Sequence, residues 1–299
     1  RADSGRFSEE NEGAGAKAMI EVIRAKAEQL LRSGEVKSFK GYERASDGLT
    51  ARPFFAYSAD EAGRLIFDKT CAHNLARYLP DMRGQRVAIL VKPCDSRSVN
   101  VLIQEGQVNR EEVYVVGVVC DGVYKASWGQ PSQELEARCL YCSRRVPVVY
   151  DHLIGQPPAS EPQTPASIPE VEALERRSAK ERWEFWRSHF ARCIRCNACR
   201  QICPACYCPQ CFSDQLDPLW TGIRIGLPQN WVWNVGRALH LAGRCADCGG
   251  CERACPMGIP LAALNRKLAE RVKELFGFEA GLDPRAPFPF ATFKKEEVL

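Results

Sequence analysis

No apolar run in this chain approaches the roughly 18 residues that a membrane helix needs, so a span across a bilayer is not expected. Its start, Arg1 to Lys17, is polar and glycine-rich and holds no apolar core of a secretory signal. Because it opens on Arg1 rather than Met, we expect residues before it. The net charge is only +4. The arginine pairs Arg144/Arg145 and Arg176/Arg177 are scattered as on solvated faces, not gathered into a phosphate-tracking stripe, so nucleic acid is not an expected partner. A G-x-G-x-x-G phosphate loop is missing too, and with it the commonest mark of a dinucleotide fold. What remains is ordinary: 45% hydrophobic and 26% charged over 299 residues, enough for a buried core and for about two domains.

Against that background, 16 cysteines are an excess. A disulfide scaffold would account for many cysteines in a small secreted chain without a core, but this chain is long enough to bury one. Their spacing points to metal instead. Cys193, Cys196, Cys199 and Cys203 precede Pro204, and Cys245, Cys248, Cys251 and Cys255 precede Pro256. Both runs read C-x2-C-x2-C-x3-C-P, the spacing of bacterial ferredoxins, in which three thiolates of a run bind one cubane and the fourth binds the other. A short C-x2-C-x2-C loop wraps three corners of a cubane and strains to reach the last. The ferredoxin pattern therefore assigns one 4Fe-4S cluster to Cys193, Cys196, Cys199 and Cys255, and a second to Cys245, Cys248, Cys251 and Cys203. Gly249 and Gly250 let the backbone approach the second cluster and offer N–H donors to its sulfurs. The competing reading is a structural zinc protein that only tethers partners, although this tandem spacing is not the usual one for zinc. Thiolate ligation implies a reducing compartment, and we expect the cytoplasm of an anaerobe.

Two further sets of cysteines are open to more than one reading. Cys206, Cys208 and Cys211 follow the first run as C-x-C-x2-C. They line the cluster loop, bind zinc, or join another cluster; three ligands leave a fourth to come from Cys71 or a histidine such as His240. Cys94 ends the strand-like RVAILVKP and Cys120 ends EVYVVGVV. In a parallel sheet those two ends are neighbours, at the carboxyl edge where α/β sites form. With the nearby pair Cys139 and Cys142 they make a candidate third 4Fe-4S site. The alternative makes Cys94 and Cys120 small buried hydrophobes and leaves Cys139 and Cys142 to zinc or to nothing.

The pattern along the chain predicts a helix over 15–32, a strand at Pro53 to Tyr57, helical character at Cys71 to Tyr78, a strand over Arg86 to Lys92, a helix over Ser96 to Glu105 and a second strand over Glu112 to Val119. A further short strand is expected at Val146 to Tyr150. Strand, helix, strand with short connections gives a βαβ unit. The expected fold is thus an α/β N-terminal domain with a mainly parallel sheet (1–150) and a C-terminal α-helical, ferredoxin-like dicluster domain (170–276). Between them, 151–169 reads as a proline-rich linker. A polar helix is expected from Glu170 to about Arg192, with an aromatic stripe of Trp183, Phe185, Trp186 and Phe190 that serves either as core or as a docking face. Trp231 to Leu241 is expected to be a helix inserted between the two cysteine runs. The tail, 277–299, carries Pro284, Pro287, Phe288, Pro289, Phe290 and Phe293 without periodicity, and either lies along a partner or folds back.

The text KPCDSRSVNVLIQEGQ (Lys92 to Gln107) followed by VYVVGVVCDG (Val113 to Gly122) resembles the β-subunit family of deazaflavin (coenzyme F-420) hydrogenases and formate dehydrogenases, whose members carry a proline–cysteine turn after one strand and a cysteine after the next. CIRCNACRQICPACYC (Cys193 to Cys208) and HLAGRCADCGGCERACP (His240 to Pro256) are similar to the cluster domains of such subunits. The resemblance implies an iron–sulfur electron-transfer subunit, with no bond-making chemistry of its own, inside a larger redox complex. Partners of the formate dehydrogenase, hydrogenase, heterodisulfide-reductase or methylenetetrahydrofolate-reductase type are all compatible with it. Many members also hold FAD and exchange hydride with a deazaflavin or a nicotinamide. Here Asp95, Ser96 and Arg97 are the candidate cofactor-binding residues, on a turn where backbone N–H groups could take a phosphate; the competing role is an Asp/Ser helix cap. The ferredoxin part also follows the α/β part, an order we read as a departure from the family.

Overall fold

Val87–Val91 is buried at every position, as a strand covered on both faces must be. The computed structural model describes residues 4–127, 130–163 and 168–290. The chain forms two units, Arg1–Ser96 with Val108–Thr164, and Arg97–Gln107 with Pro165–Leu299.

In the first unit, helix α1 (Ser4–Arg32) precedes strands β1 (Phe39–Arg44) and β2 (Ala51–Ala56), then β3 (Val87–Val91), α2 (Pro93–Gln104, shared with the second unit) and β4 (Val113–Val118). A hairpin β5 (Tyr124–Ser127) and β6 (Gln130–Leu135), a single-turn helix α3 (Ala137–Leu140) and β7 (His152–Ile154) complete it. The five-stranded sheet has the order β2-β1-β3-β4-β7. Only β1 and β2 are antiparallel; β1–β3, β3–β4 and β4–β7 are parallel. The mainly parallel sheet expected from the βαβ pattern is therefore present.

Several elements differ from the sequence expectation. β1 (FKGYER) escaped notice because it is neither an apolar run nor a clean alternation, yet its first five residues are buried. Gly41 is required there: a Cβ at that position would lie 2.5 Å from a Leu65 methyl. Cys71 to Tyr78 yields only a 3-10 turn, Leu75–Tyr78, capped by the Asn74 side chain. Val146 to Tyr150 is not a strand. Pro147 and Tyr150 instead pack over Gly117 of β4, where a Cβ would meet them at 3.1 and 3.0 Å. The strand starts after Asp151, whose backbone N–H donates to Val115 O (2.8 Å) and whose carboxylate accepts from Val115 N (2.7 Å). β7 thus lies within the stretch read as a linker.

In the second unit the polar helix is two helices, α4 (Pro169–Glu175) and α5 (Ala179–Ala191). Ser178 breaks them because its backbone N–H and hydroxyl are taken up by a capping box with Glu181. Single-turn helices α6 (Ala198–Gln201) and α8 (Gly250–Arg253) follow the two cysteine loops, with α7 (Leu227–His240) between them and α9 (Leu261–Phe276) after them. The core gathers Phe190, Cys199, Trp233, Cys251, Ile259 and Leu261. The aromatic stripe of α5 is partly core: Phe190 is buried against Trp186 and Trp231, while Trp183 stays half exposed, its ring tilted against that of Trp231. Of the tail, the described part folds back: Phe278 and Ala280 are buried with Val101, Ala242 and Val272, and Phe288 packs against them. Phe293 lies outside the described residues. Among the described residues no helix is long and apolar enough to cross a membrane.

Candidate metal centres

The two cysteine loops are built alike. In each, the residue before the second cysteine and the residue after it take left-handed backbone angles: Arg195 (φ +50°) and Asn197 (φ +60°) in one, Asp247 (φ +52°) and Gly249 (φ +66°) in the other. Such alternation curls successive backbone N–H groups toward one concavity, the geometry that favours an anionic guest. The first loop is fixed by Asn230 of α7, whose amide donates to Phe190 O (2.9 Å) and Cys193 O (2.7 Å).

The fourth cysteine of each run lies across at the other loop. Cys193, Cys196, Cys199 and Cys255 line one recess, together with Trp233, Asn234 and Ile259. Cys203, Cys245, Cys248 and Cys251 line a second, of about 490 Å³ including the open space at its mouth. The structure thus brings together the same two sets of four cysteines that the ferredoxin pattern groups. Asn265 of α9 places its amide 3.7 Å from Cys251 Sγ, a donor to sulfur.

Burial pushes Cys251 up to about 12 and also raises Cys199; it raises Cys245 with help from Asp247. The Cys203 thiol is raised by its hydrogen bond to Cys206 and by burial. Left to themselves these sulfurs would be neutral thiols, and metal binding is what holds such groups as thiolates. A second observation bears on the guest. Arg237 of α7 is 4% exposed, donates to Cys199 O at 2.8 Å, and has its Nε buried without a partner. Its nearest electrostatic neighbours are the sulfurs of Cys203, Cys206, Cys251 and Cys199. A buried guanidinium is costly unless negative charge faces it. Thiolate-bound anionic cubanes in the two recesses fit both the donor set and this cation. Among the described residues no three His, Cys, Asp or Glu side chains are arranged to hold a single metal ion.

The other cysteines are dispersed in environment. Cys206 lies beside Cys203, which lowers its thiol pKa through their hydrogen bond. Cys208 is exposed, and Cys211 packs against the aromatic core. In the first unit, Cys94 opens α2, Cys120 follows β4 and Cys139 sits on α3. Cys94 and Cys120 influence each other electrostatically, as do Cys120 and Cys139, so the three are neighbours at the carboxyl edge of the sheet. Cys142 turns its thiol to Arg144 O at 3.1 Å. Burial, then the Asp95 carboxylate, raises the Cys94 thiol, against the pull of Arg138, whose guanidinium donates to Cys94 Sγ at 3.4 Å.

Asp95 and Ser96 are occupied internally. The Asp95 carboxylate accepts from Lys92 N (3.2 Å) and Lys92 Nζ (2.7 Å), an ion pair with both side chains 1% exposed. The Ser96 hydroxyl donates to Pro93 O and accepts from Val148 N. Arg97 donates to Ala280 O within the second unit. The sequence reading missed Lys92, Arg138, Asn230, Asn234, Arg237 and Asn265. The one available signal was the i, i+4, i+7 spacing of Asn230, Asn234 and Arg237 on an otherwise apolar helix face.

Residues 192–260 match the family model of the 4Fe-4S dicluster domain. The second unit therefore carries a 4Fe-4S dicluster domain. Over most of its length the chain is also similar to F420-dependent formate dehydrogenase subunit beta of Methanocaldococcus jannaschii, 22% identical over 349 aligned positions that cover 86% of this chain and 90% of that protein. F420-dependent formate dehydrogenase 1 subunit beta of Methanococcus maripaludis is 23% identical over 355 positions, covering 86% and 89%. The family resemblance read from Lys92 to Gln107 and from the cysteine runs thus extends over most of the chain. Both alignments exceed the 299 residues of this chain, so each relative has segments without a counterpart here.

Proposed function

We propose that this chain is the iron–sulfur subunit of a multisubunit oxidoreductase of formate dehydrogenase type, passing single electrons between a catalytic partner and a flavoprotein or soluble carrier. The observation that carries this reading is the pair of recesses, each rimmed by four cysteines drawn from both runs. Cys193, Cys196, Cys199 and Cys255 hold one cluster; Cys203, Cys245, Cys248 and Cys251 hold the other. Bound cubanes supply one-electron redox chemistry, and the chain's own part is to bind, bury and space them. Asn230 fixes the first loop, Asn265 donates to a ligand sulfur, and the aromatic core of Phe190 and Trp233 packs against Cys193, Cys199 and Cys255 on the inner side of the first recess. In the first unit, Cys94, Cys120, Cys139 and Cys142 form a third site, beside the buried Lys92–Asp95 pair.

A second reading, an FAD-containing subunit that exchanges hydride with a deazaflavin, draws support from the F420 dependence of the two relatives. Anaerobic purification with iron, acid-labile sulfide and flavin quantification separates the two. A relay holds iron and sulfide in equal amounts and no flavin, and stoichiometric FAD brings the second reading forward. Cys196→Ser and Cys248→Ser should each remove the signal of one reduced cluster in electron paramagnetic resonance. Zinc without labile sulfide, or unchanged iron in both variants, would overturn the proposal.

A further inference from the structure

Each recess has one arginine in its lining that no carboxylate pairs with among the described residues, Arg195 in the first and Arg237 in the second, and the two differ in burial: Arg195 is part-exposed and held by the carbonyls of Gly222 and Arg224, whereas Arg237 is 4% exposed. The 40 or so residues between the cysteine runs exceed what a minimal dicluster fold needs, and they supply α7. One face of that helix presents Asn230, Asn234 and Arg237 at i, i+4 and i+7. Asn230 ties down the first loop, Asn234 donates to Asn230 O (2.7 Å), and Arg237 reaches Cys199 O. From there the guanidinium lines the recess of Cys203, Cys245, Cys248 and Cys251 but not the recess of Cys193, Cys196, Cys199 and Cys255.

The other charged side chains lining the second recess are compensated. Arg244 pairs with Glu105 at 2.9 Å, and Asp247 pairs with Arg266 at 2.9 Å. Arg237 has no carboxylate partner among the described residues; besides the Cys199 carbonyl, the sulfurs of Cys203 and Cys251 from the second set, of Cys206, and of Cys199 from the first set act on it. The second recess therefore carries a net buried cation. Reducing a cubane adds one negative charge, and a cation held in a poorly screened interior favours that state. Net charge and hydrogen bonding are among the levers that set a cluster's potential.

Resting on the reading that both recesses hold cubanes, we propose that Arg237 orders the relay: it makes the cluster of Cys203, Cys245, Cys248 and Cys251 the easier of the two to reduce. Electrons then settle first on that cluster and leave it last. Arg237 is a positioning residue for charge; it touches a ligand backbone and lines the recess, and is not itself a ligand.

The test is a potentiometric titration of the full-length, anaerobically reconstituted chain, followed by electron paramagnetic resonance, with iron and sulfide counted on each sample. In the unmutated protein, the signal that appears first on reduction should be altered by Cys248→Ser and kept in Cys196→Ser. In Arg237→Gln that same signal should shift to lower potential, so that at its original midpoint the ratio of reduced to oxidised cluster falls at least tenfold, equivalent to 59 mV for one electron. Arg237→Lys, which keeps the charge, should recover most of the shift. The inference is overturned if the first signal belongs to the cluster of Cys196, or if Arg237→Gln leaves the potentials unmoved or moves both equally with iron intact. The order of reduction is read without mutating Arg237, so a Gln variant that fails to load iron does not shield the proposal. Absence of labile sulfide in the unmutated chain would sink the relay reading itself, a different failure.

Discussion

Lys40 stands on β1 with its side chain fully buried, its ammonium 3.2 Å from Ser38 Oγ and over the Phe55 ring. Burial alone lowers its pKa from the ordinary 10.5 to about 8. Folding therefore makes the ammonium easier to deprotonate, whereas the unfolded chain keeps the ordinary value. Below about pH 8 the fold carries the full cost of an interior ammonium. As pH rises from about 8 to 10.5 the unfolded state holds more protons than the native state, and stability increases across that window. Lys40→Met should thus stabilise the first unit at pH 7, by up to about 3 kcal/mol for a shift of this size, and should flatten the pH dependence between 8 and 10.5. Urea midpoints at pH 7 and pH 10, measured anaerobically, check both. A Met variant no more stable than the parent at pH 7 would mean that the Ser38 contact outweighs desolvation. The same residue explains why β1 was illegible in the sequence: a lysine on a covered strand contradicts the apolar pattern by which buried strands are found. The cluster ligands were legible for the opposite reason, since a cubane constrains their spacing locally and no packing partner needs to be known. Lys92, Arg138 and Arg237 were not, because a buried charge announces itself only once its neighbours are in place.

At the level of elements, the tail was read without a period, and its ambiguity was real: nothing in its prolines and phenylalanines says which surface receives it. The structure gives the receiving surface as the later turns of α2. Arg97 donates to Ala280 O (2.9 Å), Asn100 to Gly281 O (3.0 Å), and Gln104 to both Asp283 O and Ala286 O (2.9 Å each). Side chains of one helix thus satisfy a row of carbonyls that no regular partner strand supplies. Gly281 makes the approach feasible. It sits at φ +72°, and a Cβ there would lie 2.1 Å from Arg97 O. That atom is backbone and cannot rotate away. Gly281→Ala should therefore detach the tail, lower stability by more than about 2 kcal/mol, and open 278–290 to limited proteolysis, while iron content stays at the parent level. An unchanged thermal midpoint with a protease-resistant tail would contradict this account. Gly277, which ends α9 at φ +63°, meets nothing within 4 Å on gaining a Cβ, so Gly277→Ala isolates the cost of the backbone angle alone and should be the milder change.

For the whole molecule, the open quantity is how many redox sites one chain carries. Two cubanes account for about eight irons and three for about twelve. Three of the four cysteines of the proposed third site already lie close at the carboxyl edge of β3 and β4, Cys120 being a neighbour of both Cys94 and Cys139, and the fourth, Cys142, lies only three residues beyond Cys139 on an irregular segment after α3. Rotation of its thiol away from Arg144 O is the local change that ligation would require. Burial has already raised the Cys94 and Cys120 thiols, so these sulfurs need a metal, with Lys92 and Arg138 nearby, to become anionic. If the third site is a cubane, Cys142→Ser should lower iron from about twelve to about eight per chain and leave the two dicluster signals in place, because its ligands come from a different unit. If iron is about eight in the parent and unmoved in the variant, the cysteines at the sheet edge are small buried hydrophobes and electrons enter and leave through the dicluster domain alone.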